Sequence, residues 1–189
     1  VSATPAALAA RCEVVFSIVT SSADVEALAF GQEGLAAGFA SGAVHVDMST
    51  IAPAVARELA ARYAARGIGW LDAPVSGGEQ GARDATLAIM AGGEEAVLDK
   101  VRPLLAVLGQ RIVHIGSAGA GQVAKACNQM VMVNAIQACA EAMHLARAHG
   151  VDLAAVRQAL TGGSAASRVL EVMGQRMVAC DFTAGIEAR

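Results

Sequence analysis

Aromatic side chains make up only 3% of the 189 residues, which leaves too few stacking surfaces for a base-binding platform or an aromatic sugar cleft. Lys and Arg number 14 against 17 Asp and Glu and are scattered singly, so no basic stripe points to nucleic acid or to an anionic membrane surface. The partners expected are small neutral or anionic molecules. The four cysteines (Cys12, Cys127, Cys139 and Cys180) lack the close pairs of a zinc site or a redox motif; they are expected to be buried free thiols in a reducing, cytoplasmic setting. The most apolar stretch, 129–148, carries Asn134, Gln137, Glu141, His144 and Arg147, which would be costly facing lipid, so it reads as a buried helix. The start, Val1 rather than Met, lacks the basic-then-apolar plan of a secretion signal, and a piece of a longer protein is expected.

What the chain does have is a 55% hydrophobic share, supplied mostly by Ala and Val, enough for one substantial core or parts of two domains. Up to about residue 115, short β-branched runs alternate with Ala-rich helical patterns, the signature of βα units and a parallel sheet. Strands are expected at 14–19, 43–48, 69–72, 86–91 and 111–115, with helices at 22–30, 53–65 and 94–107. From Gly121 the pattern changes to a helix of roughly 27 residues ending near Gly150, followed by helices at 152–161 and 166–179. The expected organisation is an α/β domain over 1–118 and a helical domain over 119–189.

Gly119-Ala-Gly121-Gln-Val-Ala124 matches the spacing of a dinucleotide phosphate turn. A working turn needs a second parallel strand ending in an acidic residue about 20 positions on. Glu141 has that distance but lies inside the same long helix, so these glycines are expected to serve the tight entry into that helix instead. Behind them, Gln122, Lys125 and Asn128 recur at three-residue spacing and share one helix face. A lone lysine there would be an ordinary solvated residue; a lysine with amides at a domain boundary is a candidate site. The second candidate is Leu71-Asp-Ala-Pro-Val-Ser-Gly-Gly78, which leaves the carboxyl end of an expected strand. Its Ser76 hydroxyl and the unshielded N–H groups of Gly77 and Gly78 suit a carboxylate.

Glu141-x-x-His144 has the spacing of a di-iron ligand pair, but no second pair accompanies it, and no metal is expected. His45 and His114 are expected to be hydrogen-bonded structural residues in or beside strands, and His144 and His149 ordinary helix residues.

Taken together, HVDMSTIAP, LDAPVSGG, Ala85-Thr86-Leu87, GAGQVAKACNQ and AEAMHLARAHGVD resemble the β-hydroxyacid dehydrogenase family over essentially the whole chain. The resemblance implies a Rossmann-like domain joined by a long helix to an all-helical domain, and NAD(P)-dependent interconversion of a 3-hydroxyacid with its semialdehyde. It implies Lys125 as the catalytic acid and base, Asn128 as an amide on the substrate, and Ser76, Gly77 and Gly78 as the loop gripping its carboxylate. Val19, Thr20 and Thr50 match positions that approach NAD or NADP. Gly163, Ser164 and Ser167 lie where substrate-selecting helices meet the cleft, in a stretch most similar to members that reduce tartronate semialdehyde, with 3-hydroxyisobutyrate as the alternative substrate.

Family members begin with a strand and a glycine-rich phosphate turn, whereas the start at Val1 resembles a point well inside the Rossmann domain, and their Lys-Asp-Leu stretch lies just beyond the position of Arg189. Both belong to cofactor binding, so the chain as it stands is expected to hold NAD(P) weakly. A homo-oligomer, dimer or tetramer, is implied as well. The competing reading is a relative without chemistry that only dimerises or binds a partner through its helices.

Overall fold

The computed structural model describes residues 1–183. It divides into two compact units, Val1–Ala126 and Cys127–Arg189, of which the last six residues, and with them the end of the expected 119–189 domain, lie outside the described residues.

The first unit opens with α1 (Pro5–Ala9), started by Pro5 and by the Thr4 side chain accepting the Ala7 N–H. Then come β1 (Val14–Ser17), α2 (Ser22–Phe30, capped by Ser21), α3 (Leu35–Gly38), β2 (Val44–Asp47), α4 (Pro53–Ala64) and β3 (Gly69–Asp72). β1, β2 and β3 are parallel, in a register that aligns Ser17 with Asp47 and Asp47 with Asp72 at their carboxyl ends. The expected strands and helices in this stretch are present; α1 and α3, too short to establish a periodicity, are additions.

The sheet departs from the expected all-parallel plan after β3. The chain turns back through β4 (Val75–Ser76) and α5 (Gly78–Arg83), so that β5 (Ala88–Gly93) runs antiparallel to both β3 and β4. Gly77 and Gly78 have φ of 142° and 63°. That left-handed backbone is strained for any residue with a Cβ, so the reversal depends on this glycine pair. After α6 (Glu95–Leu105), β6 (Arg111–Gly116) lies parallel to β5, giving a mixed six-stranded sheet.

Alternation along the strands sends side chains to two cores. Val44, Val46, Leu71 and Ile89 meet Leu98, Val101 and Leu105 of α6 on one face. Trp70 meets Val25 of α2 and Ala56, Leu59 and Tyr63 of α4 on the other. At ~25 cal/mol per Å² of apolar area removed from water, these layers dominate the stability of the unit.

A single helix, α7 (Ala120–Ala148), runs from the first unit into the second. Its first two turns belong with the sheet because the backbone there is packed into it. A Cβ on Gly121 would lie 2.6 Å from the Asp72 carbonyl oxygen and against that of Met90. Only glycine lets the helix approach two strands this closely.

The second unit continues α7 and adds α8 (Leu153–Thr161), capped by Asp152, and α9 (Arg168–Val178), capped by Ser167. α8 and α9 pack together. Arg157 donates to the Glu171 carbonyl at 3.0 Å, and its stem lies over Gly174. Among the described residues no helix is long and apolar enough to cross a membrane, and no cluster of three or more His, Cys, Asp or Glu could hold a metal. All four cysteines are free, as expected, but only Cys139 is buried: Cys127 and Cys180 are exposed and Cys12 is half-buried. A cysteine on a surface helix position carries no sequence mark that separates it from a core one.

Candidate functional site

The site begins at the carboxyl edge of the parallel strands, where the register gathers Ser17, Asp47 and Asp72, all buried. Buried polar groups at a strand end must find partners. Asp72 finds its partners at the start of α7: Oδ1 accepts the Gly119 N–H at 2.7 Å and Oδ2 the Gln122 N–H at 3.0 Å. Burial pushes the Asp72 carboxyl up from the usual carboxylate range, and these N–H bonds oppose that. The Gly119-x-Gly121 turn therefore does not cradle a phosphate. Its free N–H groups, at the positive end of the helix dipole, are already taken by an internal carboxylate.

Asp47 organises the neighbouring loops. Its Oδ1 accepts the hydroxyls of Ser17 and Ser49, both at 2.7 Å, while Ser49 Oγ accepts the Val19 N–H at 2.8 Å. With the Ser17 proton spent on Asp47, the 2.8 Å contact to His45 requires His45 Nε2 to donate, which leaves Nδ1 to accept from the Tyr63 hydroxyl at 2.9 Å. Burial lowers the His45 pKa to about 3, so the ring is neutral at physiological pH. His45 is thus the hydrogen-bonded structural residue expected, as is His114, whose Nε2 contacts the Gly93 carbonyl at 2.9 Å.

Two turns of α7 bring the two candidate motifs together. Lys125 Nζ donates to the Val75 carbonyl at 2.9 Å, placing the ammonium one residue from Ser76. Lys125 is half-buried, and that burial lowers its pKa from the ordinary lysine value. Ser76 is half-buried on β4, while Gly77 and Gly78 are exposed. Gln122, three residues before Lys125, is not a solvated residue. It is only 2% exposed and turns inward, donating to the Ser49 carbonyl at 2.9 Å and accepting the Ile51 N–H at 3.1 Å.

Val19, Thr20 and Thr50 are exposed on the loops after β1 and β2. Beside them Ile18 is 68% exposed, so an open apolar surface lies next to two hydroxyls. An exposed apolar surface with hydroxyls beside it could take a flat ring and an attached ribose, the groups at the nicotinamide end of NAD(P). It supplies no cradle for the pyrophosphate.

In the second unit Asn128 bonds to the Gln129 side chain at 3.0 Å. Ser167 accepts the Leu170 N–H at 3.1 Å as the cap of α9, and Gly163 and Ser164 are exposed in the preceding turn. A cavity of about 840 Å³ is lined by Ala64, Trp70, Val97 and Lys100, over the amino ends of β2 and β3. None of the candidate residues lines it.

Asp72, Asp47 and Ser49 are the site-building residues that sequence reasoning missed. The two acids are marked locally only by ending an apolar run, VHVD or WLD: the partners of Asp72 are 47 and 50 residues away, and although Asp47 also bonds Ser49 two residues on, the loop after β1 that this pair holds is 30 residues away.

A sheet with helices packed on both faces, entered by a helix whose lysine bonds beside a Ser-Gly-Gly turn, defines a Rossmann-like α/β unit. Residues 1–116 match the family model described as the NAD binding domain of 6-phosphogluconate dehydrogenase, and residues 119–189 match the family model described as NAD-binding of NADP-dependent 3-hydroxyisobutyrate dehydrogenase. The chain belongs to the β-hydroxyacid dehydrogenase family of NAD(P)-binding proteins. The 2-hydroxy-3-oxopropionate reductase of Escherichia coli strain K12 is 43% identical over 93% of this chain and 60% of its own length. The structure of Mycobacterium tuberculosis 3-hydroxyisobutyrate dehydrogenase with L-serine superposes with a TM-score of 0.84 at 34% identity, over 96% of this chain and 63% of that one. Psf3 in complex with NADP+ and 2-OPP superposes with a TM-score of 0.87 at 26% identity, over 95% and 63%. The chain thus spans about three fifths of the length of these relatives.

Proposed function

We propose that this chain carries the substrate and proton-transfer part of an NAD(P)-dependent oxidoreductase that interconverts a 3-hydroxyacid and its semialdehyde. The substrate class we favour is tartronate semialdehyde (2-hydroxy-3-oxopropionate), reduced to glycerate, with 3-hydroxyisobutyrate as the second candidate. The single observation that carries the reading is the 2.9 Å bond from Lys125 Nζ to the Val75 carbonyl, which holds an ammonium group beside the Ser76-Gly77-Gly78 turn.

A bound reduced nicotinamide would supply the hydride for the aldehyde carbon, and negative charge would then grow on the aldehyde oxygen. The Lys125 ammonium stabilises that charge and then donates a proton to the same oxygen. In the reverse direction Lys125 must be neutral to accept the hydroxyl proton, and its burial works toward that form. The Ser76 hydroxyl and the Gly77 and Gly78 N–H groups bind the substrate carboxylate and orient the reacting carbon, with Asn128 as a further amide donor. Val19, Thr20 and Thr50 would line the nicotinamide end of the cofactor. Gly163, Ser164 and Ser167 are weaker candidates for substrate selection. A homo-oligomer, dimer or tetramer, and a cytoplasmic setting complete the reading.

The test is tartronate semialdehyde reduction followed by nicotinamide absorbance. It compares this chain, the chain extended at both ends to the length of its relatives, and the extended Lys125→Ala variant. Activity in the extended protein that disappears with Lys125→Ala while the fold survives supports the reading. No turnover of this substrate or of 3-hydroxyisobutyrate with either cofactor would reduce the likeness to one of fold.

A further inference from the structure

The three residues proposed to line the cofactor sit on two loops, and the proton donor sits on a helix from a different part of the chain. One buried side chain joins them. Gln122 donates through Nε2 to the Ser49 carbonyl and accepts the Ile51 N–H through Oε1, so its amide grips the backbone on both sides of Thr50 while leaving the Thr50 side chain exposed. Ser49 in turn holds the loop after β1, its hydroxyl accepting the Val19 N–H. The backbone N–H of Gln122 is fixed by Asp72, and Lys125 follows three residues later on the same helix.

From this we infer that Gln122 is a positioning residue, an amide clamp that sets the Val19 and Thr50 loops against the helix bearing Lys125. The inference rests on the proposed roles of those residues. Hydride donor and proton donor must address adjacent atoms of one carbonyl, so their separation has to be held to a fraction of an ångström. A primary amide suits this because it holds N–H donors and an acceptor oxygen in one fixed plane, matching a carbonyl and an N–H two residues apart. The clamp is also inaccessible to water, so nothing competes for its two bonds.

Two variants test the clamp. Gln122→Leu keeps the bulk and loses both bonds. Gln122→Glu can form both bonds only when its carboxyl is protonated, since an ionised carboxylate cannot donate to the Ser49 carbonyl. Amide hydrogen exchange on this chain is expected to show the Ile51 N–H losing protection by roughly tenfold or more in Gln122→Leu, with the Gly119 N–H still protected by Asp72. In Gln122→Glu, whose carboxylate can still accept the Ile51 N–H, that protection is expected to be largely kept.

In the extended enzyme, Gln122→Leu is expected to raise KM for NAD(P) and to lower kcat roughly ten- to a hundredfold. The lysine-dependent limb of the pH profile should stay where it was. Unchanged protection at Ile51 in Gln122→Leu overturns the clamp, whatever the activity. Lost protection with unchanged kcat and KM overturns its role in positioning. If the wild-type enzyme itself turns nothing over, the proposed function fails, and exchange at Ile51 alone still decides whether Gln122 holds the loop.

Discussion

Asp72, the last residue of a central strand, accepts the backbone N–H of Gly119 at 2.7 Å from 47 residues away and so caps the helix that carries Lys125. One carboxylate therefore joins the strand leading into the Ser-Gly-Gly turn to the helix bearing the lysine. Asp72→Ala leaves the Gly119 and Gln122 N–H groups buried without partners, at about 1–3 kcal/mol each. Urea unfolding is expected to show a loss of about 3 kcal/mol or more. Asp72→Asn, with one oxygen still able to accept, should lose less. A loss within 0.5 kcal/mol for the alanine variant, about what a neutral surface substitution gives, would mean that water satisfies those groups.

Stability should depend on His45 in mildly acid solution. Its folded pKa, about 3, lies below the unfolded value of 6.5, so the unfolded chain binds a proton that the folded chain does not. The contribution is complete above pH 6.5 and is lost as the pH falls from there toward 3. While only the unfolded ring is charged, the slope is about 1.4 kcal/mol per pH unit. Burial raises Asp47 and Asp72, which act in the opposite sense, so the quantity to measure is the difference between wild type and His45→Gln. Unfolding free energies at several pH values between 6.5 and 4.5 should show the variant less sensitive to acid. Parallel curves would show that His45 takes up its proton without unfolding.

If Lys125 moves the proton, the two directions of the reaction will have opposite pH dependences in the extended enzyme. Reduction, which needs the ammonium, is expected to fall as the pH rises through a pKa lowered by burial, and oxidation to rise over the same range. Lys125→Met should cost roughly a hundred- to ten-thousandfold in kcat in both directions. Lys125→Arg, which stays charged, should spare reduction more than oxidation. Rate profiles in both directions that keep their wild-type shape in Lys125→Arg would assign the proton to another group.

Ser167 has a structural task that its proposed substrate contact must be separated from. Its hydroxyl caps α9, so Ser167→Ala is expected to cost about 1 kcal/mol in thermal or urea unfolding, and Ser167→Asp to restore most of it. In the extended enzyme a rise in substrate KM for Ser167→Ala that Ser167→Asp does not reverse marks a substrate contact. Recovery of KM and stability together leaves only the cap.

Most helices and strands of the first unit were legible in the amino-acid pattern because each depends on neighbours within a few residues. Pro53 opens α4, β-branched pairs mark β1 and β2, and Gly150 follows the end of α7. The direction of β5 was not legible. Its residues suit a parallel or an antiparallel neighbour equally, and the reversal depends on the positive φ of Gly77 and Gly78. Nor was the position of Cys127 on an exposed face.

The sequence by itself determined the class of the protein, through its resemblance to a family, and singled out Lys125 and Ser76-Gly77-Gly78 as the proposed site. Only the tertiary structure decided what holds them. Asp72 reaches Gly119, Gln122 reaches Ser49 and Ile51, and Lys125 reaches Val75 across 47 to 73 residues of chain. Bonds over such separations leave no local periodicity, because the geometry that makes them exists only once the sheet has set its strands in register.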